Sequence, residues 1–198
     1  MIIKDYQRAK KLFNLFIFYS NCNRKALSET YLNLYNHNNI GEVMSTRSQI
    51  RFIERYIDKN GKQLAYTYQI YRHSDGYLEG VIPDFYEFFT WYMSEPMYRD
   101  GDPSYSAADF IYWCKSTLSE DIKKSGYDKL GYGVENVGEI HGDEEWLYEV
   151  DLTGAKKPDE VLVRYSNKFP EKHAFEKAKW SEWYKLGELY KKISQSEK

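Results

Sequence analysis

Apolar side chains alternate on both sides of one turn, Asp58-Lys59-Asn60-Gly61, and that alternation constrains the chain more than any other feature. Before the turn Ile50, Phe52 and Tyr56 occupy even positions within residues 46–57; after it Leu64, Tyr66, Tyr68 and Ile70 do so within 63–72. A period of two interrupted by turn residues is the signature of a β-hairpin. The loop length then decides which residues face each other. A three-residue loop, Lys59 to Gly61 with Gly61 left-handed, sets Ile50 opposite Ile70 and Phe52 opposite Tyr68. A two-residue Asn60-Gly61 loop would pair Phe52 with Gln69 and scatter the apolar residues, because a one-residue slip moves every side chain to the other face. The three-residue loop is therefore expected. It also sets Arg47 opposite His73 and Gln49 opposite Tyr71, with Arg47, Tyr71 and His73 on the face away from Phe52.

Beyond the hairpin the period changes. Phe85, Phe88, Phe89 and Tyr92 follow Pro83 at helical spacing, which predicts a helix whose first turn holds Pro83 and which ends at Glu95-Pro96. Ser106 and Asp109 have the spacing of a capping box, and Ala107, Phe110, Ile111, Cys114, Leu118 and Ile122 form a second stripe closing near Gly126. An extended pair is expected over about 133–141 and 145–152, turning at His141-Gly142-Asp143, then a short strand Val161–Tyr165. A helix from about 171 to 193 would finish the chain, with Phe175, Trp183, Leu186, Tyr190 and Ile193 inward. This order predicts an α+β fold: an antiparallel sheet, built from the N-terminal hairpin and a C-terminal meander, with two or three helices packed on one face.

Charge divides the chain near Met44. Residues 1–43 carry six Lys or Arg and three Asp or Glu, while the remaining 155 residues carry 22 and 27. The basic part reads as an N-terminal extension, either a helical arm or an upstream segment from a misassigned start, ahead of a single domain at 44–198. Leu12, Leu15, Phe16 and Tyr19 at helical spacing give the competing expectation, a genuine helix docked on the domain. The apolar run Leu12–Tyr19 lacks small residues at a cleavage site and is far short of the ~20 residues of a membrane span. Cys22 and Cys114 are the only cysteines, too few for a disulfide scaffold and not spaced for a zinc ribbon. A reducing cytoplasm is the expected location.

Thirty-five aromatic residues (20 Tyr, 10 Phe and 5 Trp) could supply stacking surfaces for bases. Single-strand binders add a basic groove to such surfaces, and the formal net charge of −2 argues against nucleic acid as partner. The chain has no GxxxxGK[ST] loop, no GxGxxG, no HExxH and no GxSxG, so nucleotide folds and the commonest hydrolase signatures are missing. The identity of any cofactor is left unknown.

The densest polar cluster is Tyr71-Arg72-His73-Ser74-Asp75-Gly76-Tyr77, at the end of the second strand. Arg47, Tyr71, Arg72, His73 and Asp75 make a candidate ligand-binding set, since guanidinium groups offer a planar fork to phosphate or carboxylate. His73 and Asp75 are the candidate catalytic pair, an imidazole able to act as acid or base with a carboxylate two residues on. Asp75-Gly76 is equally a turn, which His73 could fix by hydrogen bonding. His141-Gly142-Asp143 repeats the H-x-D spacing, so His73, Asp75, His141 and Asp143 form a candidate metal set if both turns share one edge of the sheet.

Thr46-Arg47-Ser48-Gln49-Ile50, the Tyr71–Tyr77 box, Ala107-Ala108-Asp109-Phe110 and Gly142–Val150 together resemble one family. Its members are small proteins of phages, archaeal viruses and bacterial mobile elements that open M-x-T-R-x-x-I and carry a Y-R-H-x-D-G-Y-P box. The resemblance spans about residues 44–152, with Leu78 standing where the family has Pro. It implies a viral or mobile-element setting and assigns no chemistry. The expectation is a small binding or interaction protein that takes an anionic ligand or a host protein near the box. The alternative is a small hydrolase, with or without a metal, acting on a phosphate-containing substrate.

Overall fold

In the computed structural model, residues 46–95, 99, 101–118, 123, 131–138, 142–170 and 174–196 are described. The extension at 1–43 and the boundary at Met44 lie outside them.

The hairpin forms in the expected register. Strands β1 (Ser48–Ile57) and β2 (Gln63–Arg72) pair antiparallel with Ile50 opposite Ile70 and Phe52 opposite Tyr68. Asp58 N–H donates to the Lys62 carbonyl at 2.9 Å, leaving Lys59 to Gly61 as the loop, with Gly61 at φ +77°. Among the described residues the remaining elements are α1 (Leu78–Tyr92), α2 (Pro103–Thr117), β3 (Tyr132–Glu135), β4 (Trp146–Asp151), a single 3-10 turn (Pro158–Glu160), β5 (Leu162–Ser166), α3 (Ala174–Lys177), β6 (Tyr184–Lys185) and α4 (Leu186–Ser196).

The α+β class holds, but the sheet is mixed: of the expected meander, β4 and β5 are antiparallel neighbours, continued by β6, while β3 is not beside β4. The strand order is β3-β2-β1-β4-β5-β6. The segments expected to pair with each other around Gly142 instead lie on opposite sides of the hairpin: β3 adds antiparallel to β2, and β4 adds parallel to β1. Burial explains the choice. Next to β1, β4 sets Tyr148 beside Ile50 and Val150 beside Phe52, so its apolar residues join the same buried face. The poorer strand, β3, takes the edge, where Val134 is 77% exposed.

Ile50 and Phe52 of β1 lie in the core with residues of α1 and α2. Phe52 meets Phe85, Phe89 and Phe110 with ring centres 5.7–6.4 Å apart, and all four are fully buried. At ~1.5–3 kcal/mol for each large apolar side chain removed from water, this aromatic cluster is the main source of cohesion between sheet and helices.

Three helical expectations change. Helix α1 begins at Leu78, so Pro83 lies inside it and not at its start. Helix α2 begins at Pro103, capped by the Asp102 carboxylate, which accepts from Ser104 N–H at 2.9 Å; Ser106 is buried in the second turn and caps nothing. Helix α2 ends at Thr117, and Ile122 lies outside the described residues. The long terminal helix is instead α3, an irregular stretch, β6 and α4. Leu186, Leu189 and Ile193 are buried in the main core with Tyr190 packed against it, while Phe175 packs with Leu147 on the opposite face of the sheet.

Candidate functional site

Odd-numbered residues of β1 and β2 point away from the helices, and on that face the sheet is polar. At its β1 entry the Arg47 carbonyl accepts from Glu145 N–H at 3.0 Å and Trp146 N–H at 3.2 Å. This brings the turn before β4, with Gly142 at φ +86°, beside the end of the hairpin. The second turn is held as closely. Gly76 N–H donates to the Thr46 carbonyl at 2.9 Å, and the Gly76 carbonyl accepts from the buried Tyr148 hydroxyl at 2.8 Å. A Cβ on Gly76 would stand 2.8 Å from the Arg47 carbonyl carbon and from Ser48 Cβ, so only glycine allows this approach. The glycine of the box thus locks the turn, and the turn positions His73.

Four side chains meet there. Arg47 Nη1 lies 3.0 Å from Asp143 Oδ2. The Tyr71 hydroxyl lies 3.4 Å from Asp143 Oδ1 and 3.4 Å from His73 Nδ1. A carboxylate only accepts, so the Tyr71 proton is directed at Asp143 and the Tyr71 oxygen faces the imidazole. Burial, followed by the charge of Asp143, pushes the Tyr71 hydroxyl up to about 12. It therefore remains a protonated donor across the neutral range. The cluster is open at its outer side: the Arg47 and Asp143 side chains are 33% and 44% exposed. Beside it Glu144 accepts from Gly142 N–H at 2.9 Å, bracing the turn that carries Asp143.

The structure unites Arg47, Tyr71 and His73, as the register requires, but the carboxylate that completes them is Asp143 and not Asp75. Asp75 stands exposed in its turn at φ +52°. Arg72 leaves the set altogether. As an even-numbered neighbour of Tyr71 it turns to the helix face, where its Nε donates to the Ser74 carbonyl at 2.7 Å and Nη1 pairs with Asp84 at 2.7 Å. It braces the box from behind. Of the metal set, His141 lies outside the described residues, and among those described no three His, Cys, Asp or Glu side chains group as metal ligands. Asp143 is already engaged by a cation.

Behind the cluster runs a row that sequence reasoning missed. Glu135, Gln69, Arg51, Glu149 and Arg164 are register partners across five adjacent strands. Gln69 Nε2 donates to Glu135 at 3.3 Å, Arg51 Nε to Gln69 Oε1 at 2.9 Å, and Arg164 Nε to Glu149 Oε2 at 2.6 Å. Gln49, buried beside Tyr71, joins the row by donating to Glu135 at 2.5 Å. Aromatic rings from the segment after β5 cover it. The Arg51 guanidinium lies 3.5 Å from the Phe175 ring centre, and that of Arg164 lies 4.6 Å from both Trp180 and Trp183. The polar odd positions of β1 were a signal for such a face; the rings that bury it come from more than a hundred residues away.

No family model, curated protein or solved structure matches this chain. Among the described residues no helix is long and apolar enough to cross a membrane.

Proposed function

We propose that the protein is a small binding module that takes an oxyanion group, on a ligand or on a partner, at the sheet end formed by Arg47, Tyr71 and His73. One observation carries the reading: at the ends of two paired strands a guanidinium and a phenol meet on one carboxylate, and an imidazole lies against the same phenol. Charge-assisted hydrogen bonds from Arg and a neutral phenolic donor are the usual means of holding phosphate or carboxylate. Of the residues the hydrolase alternative would use, His141 lies outside the described residues and Asp75 stands exposed in its own turn, at φ +52°. The setting that accompanies the proposal is cytoplasmic, in a virus or mobile element, as cysteine usage and the motif resemblance suggest.

Isothermal titration of the full chain with inorganic phosphate tests the reading. Binding is expected, and His73→Ala and Arg47→Gln should each weaken it at least ten-fold while the thermal midpoint stays nearly constant. Phosphate binding that ignores both substitutions, or no binding at all, would overturn it.

A further inference from the structure

The Asp143 carboxylate sits where a bound oxyanion would sit, with one oxygen on the Arg47 guanidinium and the other toward the Tyr71 hydroxyl. It lies next to Gly142 on a turn with open space around it: a Cβ at Gly142 would meet nothing within 4 Å. The pairing with Arg47 is incomplete. Asp143 engages Nη1, while Arg47 Nε is shut away from solvent with no hydrogen-bond partner among the described residues. A buried donor in this condition is uncommon in native proteins and disfavours the arrangement that leaves it so. The neighbouring Glu144 adds a second negative charge beside Tyr71.

Resting on the binding function proposed above, we infer that Asp143 is a built-in competitor that occupies the anion site and restricts it to doubly charged phosphate groups. A carboxylate tethered on the same chain acts at an effective concentration on the order of millimolar or higher. A dissolved carboxylate offers Arg47 the same charge and the same two oxygens, and so gains nothing by exchange. A phosphate ester brings a charge of about −1.5 to −2 near neutral pH and three acceptor oxygens, enough to engage Arg47, Tyr71 and His73 together. The exchange makes and breaks no covalent bond. The Asp143 carboxylate leaves the guanidinium for water as its side chain rotates outward, and the phosphate takes its place.

The test uses the full chain with inorganic phosphate and acetate as probes, followed by calorimetry. The wild type is expected to bind phosphate and to show no acetate binding at millimolar concentrations. Asp143→Asn, which keeps the shape and removes the charge, should bind phosphate at least ten-fold tighter and should now bind acetate. Adding Arg47→Gln to that variant should abolish both. If Asp143→Asn binds phosphate no better than wild type while Arg47→Gln still removes binding, the competitor is refuted and the site stands. If neither protein binds phosphate, the site itself fails. A measurement on the unaltered protein guards against a misfolded variant: the Asp143 side-chain carboxyl carbon resonance should move to the position of a solvated carboxylate as phosphate saturates. A resonance unmoved at saturation would overturn the inference.

Discussion

Tyr71 shows how a single residue joins stability to the site. Its ring is buried and its hydroxyl holds its proton to about 12, first because burial disfavours the phenolate and then because Asp143 is near. An unfolded tyrosine ionises near 10, so the folded state binds more protons than the unfolded state between these values. The stabilising contribution is complete below about pH 10 and is lost as pH rises toward about 12, by the same linkage. Tyr132 and Tyr148, also raised well above the usual value by burial, add to the effect. Thermal melts of wild type and Tyr71→Phe between pH 9 and 12 should therefore converge as pH rises, with the wild type losing stability more steeply. Parallel curves would show that Tyr71 ionises like a solvated phenol. Arg72 and His73, adjacent in the chain, illustrate the same point in geometry: strand parity sends His73 to the site and Arg72 into the helix face.

Among the elements, the polar row across β3, β2, β1, β4 and β5 is the least expected feature. Glu149 stands between two guanidinium groups, Arg51 and Arg164, and is 7% exposed. Removing one member of a buried pair leaves the other charge uncompensated, which costs about 3–5 kcal/mol. Arg164 keeps partial access to solvent and two tryptophan faces, so the lower end applies. Glu149→Ala is expected to lose about 3 kcal/mol in urea denaturation, by the same uncompensated-charge argument. A loss under about 1 kcal/mol would mean that water reaches the row and screens it as it would a surface pair. The covering segment owes its irregular path to this row. Phe175, Trp180 and Trp183 serve the polar face, whereas Leu186, Leu189 and Ile193 serve the opposite one, and a single straight helix could not reach both.

At the scale of the whole molecule, the described core closes within residues 48–193, from Ile50 at the start of the sheet to Ile193 in the last helix. A chain beginning at Met44 is therefore expected to melt in one cooperative transition and to keep phosphate binding. If it aggregates or loses several kcal/mol, Leu12, Leu15, Phe16 and Tyr19 belong to the core, since each such burial is worth ~1.5–3 kcal/mol. The features legible in the residues alone are local ones. Loop length and a period of two specified the hairpin register, and with it the shared face of Arg47, Tyr71 and His73; the spacing of Phe85, Phe88, Phe89 and Tyr92 specified the buried stripe of α1. Each involves residues close along the chain, whose geometry follows from backbone period and turn chemistry alone. The partner of β1 on its far side was decided only in three dimensions, because Trp146–Asp151 could pair with any free edge, and burying Tyr148 and Val150 beside Ile50 and Phe52 settled the competition. That same choice brought Asp143 to Arg47. A turn residue ninety-six positions away became the site's carboxylate because β4 lies against β1, where Tyr148 and Val150 join the core.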